Sequence, residues 1–460
     1  MEFNDSQKRA IRHGDGPMLL LAGPGSGKTT VLTHRIEYMI ESQGIRPDNI
    51  LVITFTKAAA NEMKVRFQKL CPEVRDVTFG TFHSVFFWIL RNAYNYKGSD
   101  IVTDSEKYGA IRDSIDRHGF RYDSQEDFAR NVVGEIGCVK SDMADICSYE
   151  SKTMKPDDFR VVYQEYECFL RKHGKIDFDD MLVFTYELLS ERPDICGMWR
   201  QKFRYILIDE FQDINMIQYE VVKLLAGDDK NVFVVGDDDQ SVYGFRGAAP
   251  SIMKRFPEDF PGTVIEYLNV NYRCSYDIVE CSKRIIGNNS DRYDKKLKSA
   301  FEPGKSDRVH IIKVENMTEQ NRRIIERIEE LNRNGIPFSD MAVIFRTNTE
   351  PRALTSKFME RGIPFSMKDS IPNIFTHFLA QNVFDYIKLA RGARDRRTVL
   401  QIINKPNRYI SRDALDSPVF DFESLRQYYR DKYRIINNIN VLENDLDRIS
   451  GLAPYAAVNY

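Results

Sequence analysis

The sequence predicts an α/β fold in which helices cover both faces of a mostly parallel sheet. Short apolar, β-branched runs alternate with helical patterns, and buried strands of this kind are typical of parallel sheets. The predicted strands are Met18 to Leu21, Ile50 to Phe55, Val77 to Phe79, Tyr205 to Ile208, Val232 to Val235 and Val264 to Leu268. Glycine-rich or acidic turns follow several of these strands. Because parallel sheets bind ligands at the carboxyl ends of their strands, we expect the chemistry at that edge.

The organisation along the chain predicts two α/β cores and a large helical insertion. From about Ser84 to Gln201 the strand signal lapses and helical patterns replace it, over a stretch too long for one crossover. A second α/β unit is predicted from about Asn271, with strands at Val309 to Val314 and Met341 to Phe345. After Pro372 the pattern is helical again.

Composition narrows the class of protein without identifying a ligand. The chain has 460 residues, 42% of them hydrophobic, and a formal net charge of −2. It contains no apolar stretch of bilayer length and does not begin like a signal peptide, so we expect a cytoplasmic globular protein. Its seven cysteines include no C-x-x-C pair, which argues against a zinc site. The near-neutral charge does not exclude nucleic acid, because a local basic groove acts within about 10 Å.

A phosphate-binding loop is predicted directly after the first strand. The turn has the pattern A-x-x-x-x-G-K-T and a helical pattern follows it. Backbone N–H groups of such a turn surround phosphates, the lysine reaches the outer phosphates and the threonine can ligate Mg²⁺. The alternative is a glycine-rich turn before an ordinary helix. The predicted nucleotide-binding residues are Ala22, Gly23, Pro24, Gly25, Ser26, Gly27, Lys28, Thr29 and Thr30.

Two adjacent carboxylates end the strand that begins at Tyr205. In a nucleotide-hydrolysing enzyme Asp209 would hold Mg²⁺ together with Thr29, and Glu210 would orient and deprotonate the attacking water. The alternative interpretation is an acidic strand end in solvent.

The turn after the next strand combines an amide with planar side chains. Gln240 suits the sensing of a γ-phosphate, while Tyr243, Phe245 and Arg246 offer groups that stack on or clamp a base. Aromatic residues in such a segment are otherwise more often core residues. One loop that contacts both ligands would couple nucleotide state to movement along a polymer.

A nucleic-acid surface is predicted at two neighbouring strand ends. These turns combine hydroxyls and a ring nitrogen, which suit phosphate oxygens, with aromatic rings that suit bases. Such contacts would not depend on base sequence. A structural histidine is the alternative for His83. The residues are Thr54, Phe55, Thr56, Thr81, Phe82 and His83.

In order along the chain, these motifs resemble those of superfamily 1A helicases of the UvrD/Rep type. Phe3 to Lys8 resembles the family's glutamine motif, which implies that Gln7 reads adenine. Asn271 to Arg273 resembles motif IV, which implies that Tyr272 stacks on adenine and Arg273 reaches the γ-phosphate. Motifs I, Ia, Ib, II and III correspond to Ala22 to Thr29, Ile53 to Met63, Gly80 to Ser84, Asp209 to Asp213 and Gly236 to Ala248, and Phe345 to Asn348 resembles the motif after IV.

The resemblance implies RecA-like cores and divides the chain into four parts. It implies a first core (1–84 and 202–270), a helical insertion (85–201), an incomplete second core (271–372) and the start of a second helical insertion (373–460). No segment matches motifs V and VI. In the family, these motifs supply a further arginine at the γ-phosphate. In motif Ia, Lys57 stands one place earlier than usual, and Thr30 replaces a common arginine.

The function implied by the resemblance is ATP- and Mg²⁺-dependent, 3′ to 5′ movement on single-stranded DNA. Strand separation at duplex junctions would follow, in DNA repair or recombination, with a repair or nuclease protein as a possible partner. The alternative is an ATP-gated DNA-binding fragment or subunit that does not unwind by itself. No residue identifies a reader of the RNA 2′-hydroxyl, so the choice between DNA and RNA stays open.

Overall fold

The computed structural model describes residues 2–120, 125–242, 251–290, 292–304, 308–368, 375 and 378–460. It divides the chain into two compact units, Met1–His310 and Ile311–Tyr460. Among the described residues, no helix has the length and apolar character needed to cross a membrane.

A six-stranded parallel sheet forms the centre of the first unit, as the sequence predicts. The strand order is β3-β2-β4-β5-β1-β6, and each strand runs parallel to its neighbours. All six predicted strands are confirmed to within two residues at each end. The strands are β1 Met18–Ala22, β2 Ile50–Thr54, β3 Thr78–Thr81, β4 Tyr205–Ile208, β5 Val232–Gly236 and β6 Val264–Leu268. A separate short pair joins β7 Val270–Asn271 to β8 Lys298–Ser299.

Helices cover both faces of this sheet. Because strand side chains alternate, Leu19 and Leu21 of β1 enter one apolar core, while Met18 and Leu20 enter the other. The helices of this unit are α1 Asp5–Ile11, α2 Lys28–Glu41, α3 Lys57–Leu70, α4 Phe82–Tyr94, α5 Asp104–His118, α6 Gln125–Ser141, α7 Pro156–His173, α8 Phe178–Glu191, α9 Pro193–Lys202, α10 Met216–Ala226, α11 Ser251–Asp259 and α12 Tyr276–Ile286.

Between β3 and β4, where a helical insertion is predicted, the chain forms a run of helices, α4 to α9. Helices α5, α6 and α7 pack around an apolar core of their own. Beside that core, the buried Lys140 amine contacts carboxylates of α7 and of the start of α8. Its partners are Glu167 at 2.7 Å, Asp177 at 3.0 Å and Asp180 at 2.6 Å. This ion cluster ties α6 to both following helices.

Among its described residues, the second unit contains helices and one isolated β-bridge, between Asp395 and Val419. Its helices are α13 Met317–Arg333, α14 Pro351–Arg361, α15 Phe378–Ala390, α16 Arg396–Ile402, α17 Phe422–Tyr428, α18 Tyr433–Ser450 and α19 Pro454–Asn459. Two apolar clusters hold it together, one between α13 and α14 and the other among α15 to α18.

Two strand predictions near the start of this unit are wrong. Val309 to Val314 and Met341 to Phe345 form no strand, and no described strand pairs with either run. Ile311 and Ile344 are 94% and 92% exposed. An apolar run becomes a strand only where neighbouring backbone accepts its hydrogen bonds, and neither run has such a neighbour among the described residues.

Candidate nucleotide site and strand-end surface

The predicted phosphate loop connects the buried strand β1 to helix α2. Gly25 and Gly27 have φ of +64° and +87°, a left-handed conformation that glycine adopts without strain. The Ser26 hydroxyl donates to the Gly23 carbonyl at 2.7 Å and closes the turn. Lys28 and Thr29 then begin α2, where free backbone N–H groups favour an anion.

The two carboxylates predicted for catalysis lie opposite this loop. Asp209 follows β4, and its N–H donates to the Ile53 carbonyl at 2.9 Å. Burial raises the pKa of Asp209 to about 6, with a contribution from Glu210 that Lys28 opposes. The Lys28 ammonium donates to the Glu210 carboxylate at 3.2 Å. The lysine and both acids therefore face a single space.

Glu210 has a strained backbone that places its carboxylate there. Its φ is +52°, which is uncommon for a residue with a Cβ and is typical of functional sites. Asp213, in the turn that follows, has its pKa raised to about 6 by burial and by Glu210. Three carboxylates thus lie near Lys28.

A chain of hydrogen bonds links this acidic turn to the turn after β5. The Gln212 amide donates to Glu210 at 2.9 Å, and its oxygen accepts from the Asp237 N–H at 2.9 Å. Asp237 in turn accepts from the Gln240 amide at 2.6 Å. The predicted γ-phosphate sensor therefore connects to the carboxylate that contacts Lys28.

The predicted adenine-binding residues surround the other side of the loop. Asn4 and Gln7 form a reciprocal capping box at the start of α1. The buried Gln7 amide donates to the Ser26 carbonyl at 3.1 Å. Asn4 donates to the Tyr272 hydroxyl at 2.9 Å, which holds a ring that is 46% exposed. An exposed ring fixed at its edge presents a face for stacking.

The segment containing Tyr272 and Arg273 lies directly against the phosphate loop, in the same compact unit. The Tyr272 N–H donates to the Gly25 carbonyl at 2.9 Å. The Asn271 side chain accepts from the N–H groups of Arg273 and Cys274, at 2.8 Å each. A Cβ on Gly25 would lie only 2.7 Å from the Arg273 Cβ. The structure therefore brings Arg273 to the loop.

At the strand-end surface, the ends of β2 and β3 are adjacent, with Thr54 and Thr81 in register. Thr56 is exposed and caps α3, and Thr81 caps α4. Phe55 is half-buried. Burial lowers the pKa of His83, so its ring is neutral near pH 7 and can donate only one hydrogen bond.

Two of the predicted DNA-binding residues, Phe82 and Thr54, are buried. Phe82 is 3% exposed and packs against Phe86 in the apolar core, so its ring has no face for a base. Thr54 is buried as well, and its hydroxyl donates to the Thr56 carbonyl at 3.0 Å. Tyr243, Phe245 and Arg246 lie outside the described residues.

Comparison with known proteins identifies the family of this chain. Residues 3–261 match the UvrD/REP helicase N-terminal domain, and residues 266–445 match the UvrD-like helicase C-terminal domain. The chain belongs to the UvrD/Rep helicase family. The sequence is 33% identical over 422 residues to the ATP-dependent DNA helicase PcrA of Staphylococcus aureus (strain COL). It is 33% identical over 424 residues to PcrA of Staphylococcus epidermidis (strain ATCC 12228 / FDA PCI 1200).

Each of these alignments covers 90% of this chain and 57% of the relative. The chain thus spans a little over half the length of the curated UvrD/Rep relatives that it matches. The resemblance read from the motifs is confirmed at the level of the family.

The structure places next to the predicted site residues three further side chains that the motifs do not include. Phe178, the first residue of α8, is 52% exposed, and its ring centroid lies 5.8 Å from that of His83. Arg292 and Lys295 contact the acidic turn after β5. The sequence signal for Phe178 is an apolar residue directly after the helix cap Asp177. No pattern connects Lys295 to a turn more than fifty residues earlier.

Proposed function

We propose that this protein is an ATP-dependent 3′ to 5′ DNA helicase that translocates on single-stranded DNA. The observation that supports it best is the hydrogen-bonded path from Lys28 through Glu210 and Asp237 to Gln240. A phosphate-binding lysine, a candidate base and a candidate γ-phosphate sensor on one path suit ATP hydrolysis coupled to a mechanical change. DNA repair or recombination is the proposed setting.

The residues present suit ATP and Mg²⁺. The loop and Lys28 would hold the phosphates, and Thr29 and Asp209 would hold the cation. Asp209 is 8% exposed beside Glu210, and a buried carboxylate near a second acid suits a divalent cation that offsets their repulsion. When bound, Mg²⁺ would neutralise charge on the phosphates. Gln7 and Tyr272 would bind the base.

Within this arrangement Glu210 would change partners when the nucleotide binds. Its contact with Lys28 is an ion pair between partly buried groups. Phosphate oxygens would compete for the Lys28 ammonium and free the Glu210 carboxylate to accept a proton from water. Gln240 and Arg273 would then contact the γ-phosphate from two sides. Loss of that phosphate would release both residues, which is the proposed signal for movement.

The proposed DNA contacts come from the ends of β2 and β3. Phe55, Thr56, Thr81 and His83 lie there, and Phe178 adds an exposed ring. Base stacking on such rings contributes about 1–3 kcal/mol per base and does not depend on sequence. Duplex junctions would be engaged from this surface.

A second candidate is an ATP-gated DNA-binding chain that does not unwind by itself. In the family, motifs V and VI supply a further arginine at the γ-phosphate, and no stretch of these 460 residues resembles either motif. An added arginine of this kind accelerates phosphoryl transfer about 10³–10⁵-fold. A repair or nuclease partner could supply it.

Steady-state ATPase activity with and without single-stranded DNA tests the proposal. We expect DNA to stimulate turnover, Lys28→Ala to abolish nucleotide binding, and Glu210→Gln to retain binding without turnover. Lys69→Ala, a substitution at an exposed lysine of α3, is the control. The proposal would be refuted if the wild-type chain does not bind ATP, or if its rate of ATP turnover is the same with and without single-stranded DNA.

Duplexes with either a 3′ or a 5′ single-stranded tail then separate the two candidates. Strand separation of the 3′-tailed duplex alone supports the helicase with the proposed direction. Nucleotide-dependent DNA binding without separation of either duplex supports the second candidate. Binding should weaken steeply with salt in both cases, because phosphate contacts release counterions.

A further inference from the structure

Three consecutive carboxylates in the turn after β5 surround one lysine. The Lys295 amine contacts Asp237, Asp238 and Asp239. Its side chain is 4% exposed, and that of Asp237 is fully buried. Lysine is rarely buried to this degree unless it is paired. The amine fills the space between the three acids.

The residues before Lys295 strengthen the same contact. The Arg292 guanidinium donates to both oxygens of Asp239, at 2.8 and 2.6 Å. The Tyr293 backbone N–H donates to Asp238 at 2.7 Å. Two cations thus face three acids, which leaves one net negative charge. Bidentate arginine contacts hold geometry more firmly than single ones do.

The buried acid of this cluster is the one that holds Gln240. One oxygen of Asp237 contacts the Lys295 amine, while the other accepts from the Gln240 amide at 2.6 Å. The Lys295 amine therefore neutralises Asp237. A γ-phosphate would compete with this carboxylate for the hydrogen bond from the Gln240 amide. A carboxylate without that cation would hold the amide more strongly, because buried charges are little screened.

The same short segment also touches the phosphate loop. A Cβ on Gly23 would lie 2.7 Å from a terminal carbon of Leu297, so that side chain packs closely on the loop. Residues 298 and 299 form β8, which pairs with β7 just before Tyr272. One segment of eight residues, 292–299, thus contacts the Gln240 turn, the phosphate loop and the Tyr272 segment.

We propose that Lys295 is a positioning residue that allows Gln240 to exchange Asp237 for the γ-phosphate. Lys295 touches no nucleotide in this role; it acts through Asp237, with Arg292 holding the neighbouring acid. The proposal rests on the proposed function, because it takes Gln240 as the γ-phosphate sensor. Its consequence is that Lys295 governs discrimination between ATP and ADP and not nucleotide affinity as such.

The test compares the affinities of the full chain for two ribose-labelled nucleotides, ADP and a non-hydrolysable ATP analogue. We expect Lys295→Met to lower the preference for the ATP analogue over ADP about tenfold, the usual effect of losing one hydrogen bond to a charged group. ADP affinity should stay within about twofold of the wild type, since ADP does not need Gln240. Lys295→Arg should restore most of the preference.

Lys283→Met is the matched control, because Lys283 pairs with Glu280 on the surface of α12. Thermal unfolding identifies a variant that fails to fold. In that event Arg292→Gln, which removes the two hydrogen bonds to Asp239 at a more exposed site, should reduce the preference in the same direction. A folded Lys295→Met with the wild-type preference, or one that loses ADP and ATP affinity equally, would overturn the proposal.

The measurement also separates this proposal from the proposed function. A wild-type chain that prefers the ATP analogue but does not hydrolyse ATP would refute the helicase, while the Lys295 variants still decide the positioning role. A wild-type chain that hydrolyses ATP and tolerates Lys295→Met without change refutes only the positioning role. Absence of nucleotide binding in the wild type refutes both.

Discussion

Gly25 is the position where one added methyl group should separate nucleotide binding from folding. Its φ of +64° is unfavourable for any other residue, and a Cβ there would lie 2.7 Å from the Arg273 Cβ and 2.8 Å from the Asn271 side-chain oxygen. Ordinary contacts begin near 3.4 Å, so Arg273 must retreat by about 0.7 Å. The backbone hydrogen bond from Tyr272 to Gly25 has to stretch as well.

The expected magnitude of Gly25→Ala has two parts. The left-handed backbone costs about 1–2 kcal/mol of folding stability in any residue with a Cβ. The displacement of Arg273 lowers the rate of ATP hydrolysis, because a misplacement of about 1 Å in a group that contacts the reacting centre can lower a rate about 10²-fold. We therefore expect a modest loss of stability and a loss of ATP turnover of roughly 10- to 100-fold.

Gly44→Ala is the matched control. Gly44 has a φ of +69° and nothing within 4 Å of the position that a Cβ would occupy. Gly44→Ala therefore has the same unfavourable left-handed backbone as Gly25→Ala but brings no Cβ against a neighbouring side chain. Urea unfolding should therefore show similar losses in the two variants, while ATPase rates and nucleotide affinity should fall only in Gly25→Ala. Equal activity in the two variants would refute the reasoning that the 271–273 segment must approach the loop closely.

Four further predictions follow from other contacts. Lys140→Met leaves three carboxylates without their cation and should cost about 3–5 kcal/mol in urea unfolding, whereas Lys172→Met at an exposed site should cost little. The pKa of Asp209 is raised to about 6, so the native state binds its proton more tightly than the unfolded chain does. Lowering the pH from 7 to 4 should therefore stabilise the wild type relative to Asp209→Asn by about 2 kcal/mol, and equal pH profiles in urea unfolding would contradict this. Gln7→Ala should lower ATP affinity about tenfold and leave GTP affinity unchanged in competition binding, because an amide that reads adenine does not suit guanine. Phe178→Ala should weaken single-stranded DNA binding by about 1–3 kcal/mol in fluorescence anisotropy at fixed salt, and an unchanged affinity would remove this ring from the DNA surface.

Much of the geometry of the candidate nucleotide site could be predicted from sequence because its parts are local. A glycine turn between a strand and a helix sets its own backbone, and Gly25 and Gly27 have the left-handed φ that the motif requires. Asp209 and Glu210 end a strand, so the parallel sheet itself carries them to the same edge as Lys28. The order and direction of the strands are enough to predict that these side chains lie at the same edge of the sheet.

Burial of single side chains could not be predicted in the same way. Phe82 and His83 are adjacent in sequence, yet the first enters the core and the second is only partly buried, with its ring against that of Phe178. The direction of each depends on where a helix begins and which face it buries. The predicted strands at 309–314 and 341–345 failed because an apolar run does not contain its own pairing partner.

By itself, the sequence of this protein determined the parallel sheet, the order of its motifs and the residues of the phosphate loop, because periodicity and glycine geometry act over a few residues. Only the tertiary structure decided that Lys295 neutralises the acids after β5 and that Arg273 contacts Gly25. The physical reason is the sequence separation of the residues in contact. Those contacts join residues separated by tens to hundreds of positions, and their energies depend on burial and distance, which exist only after the chain has folded.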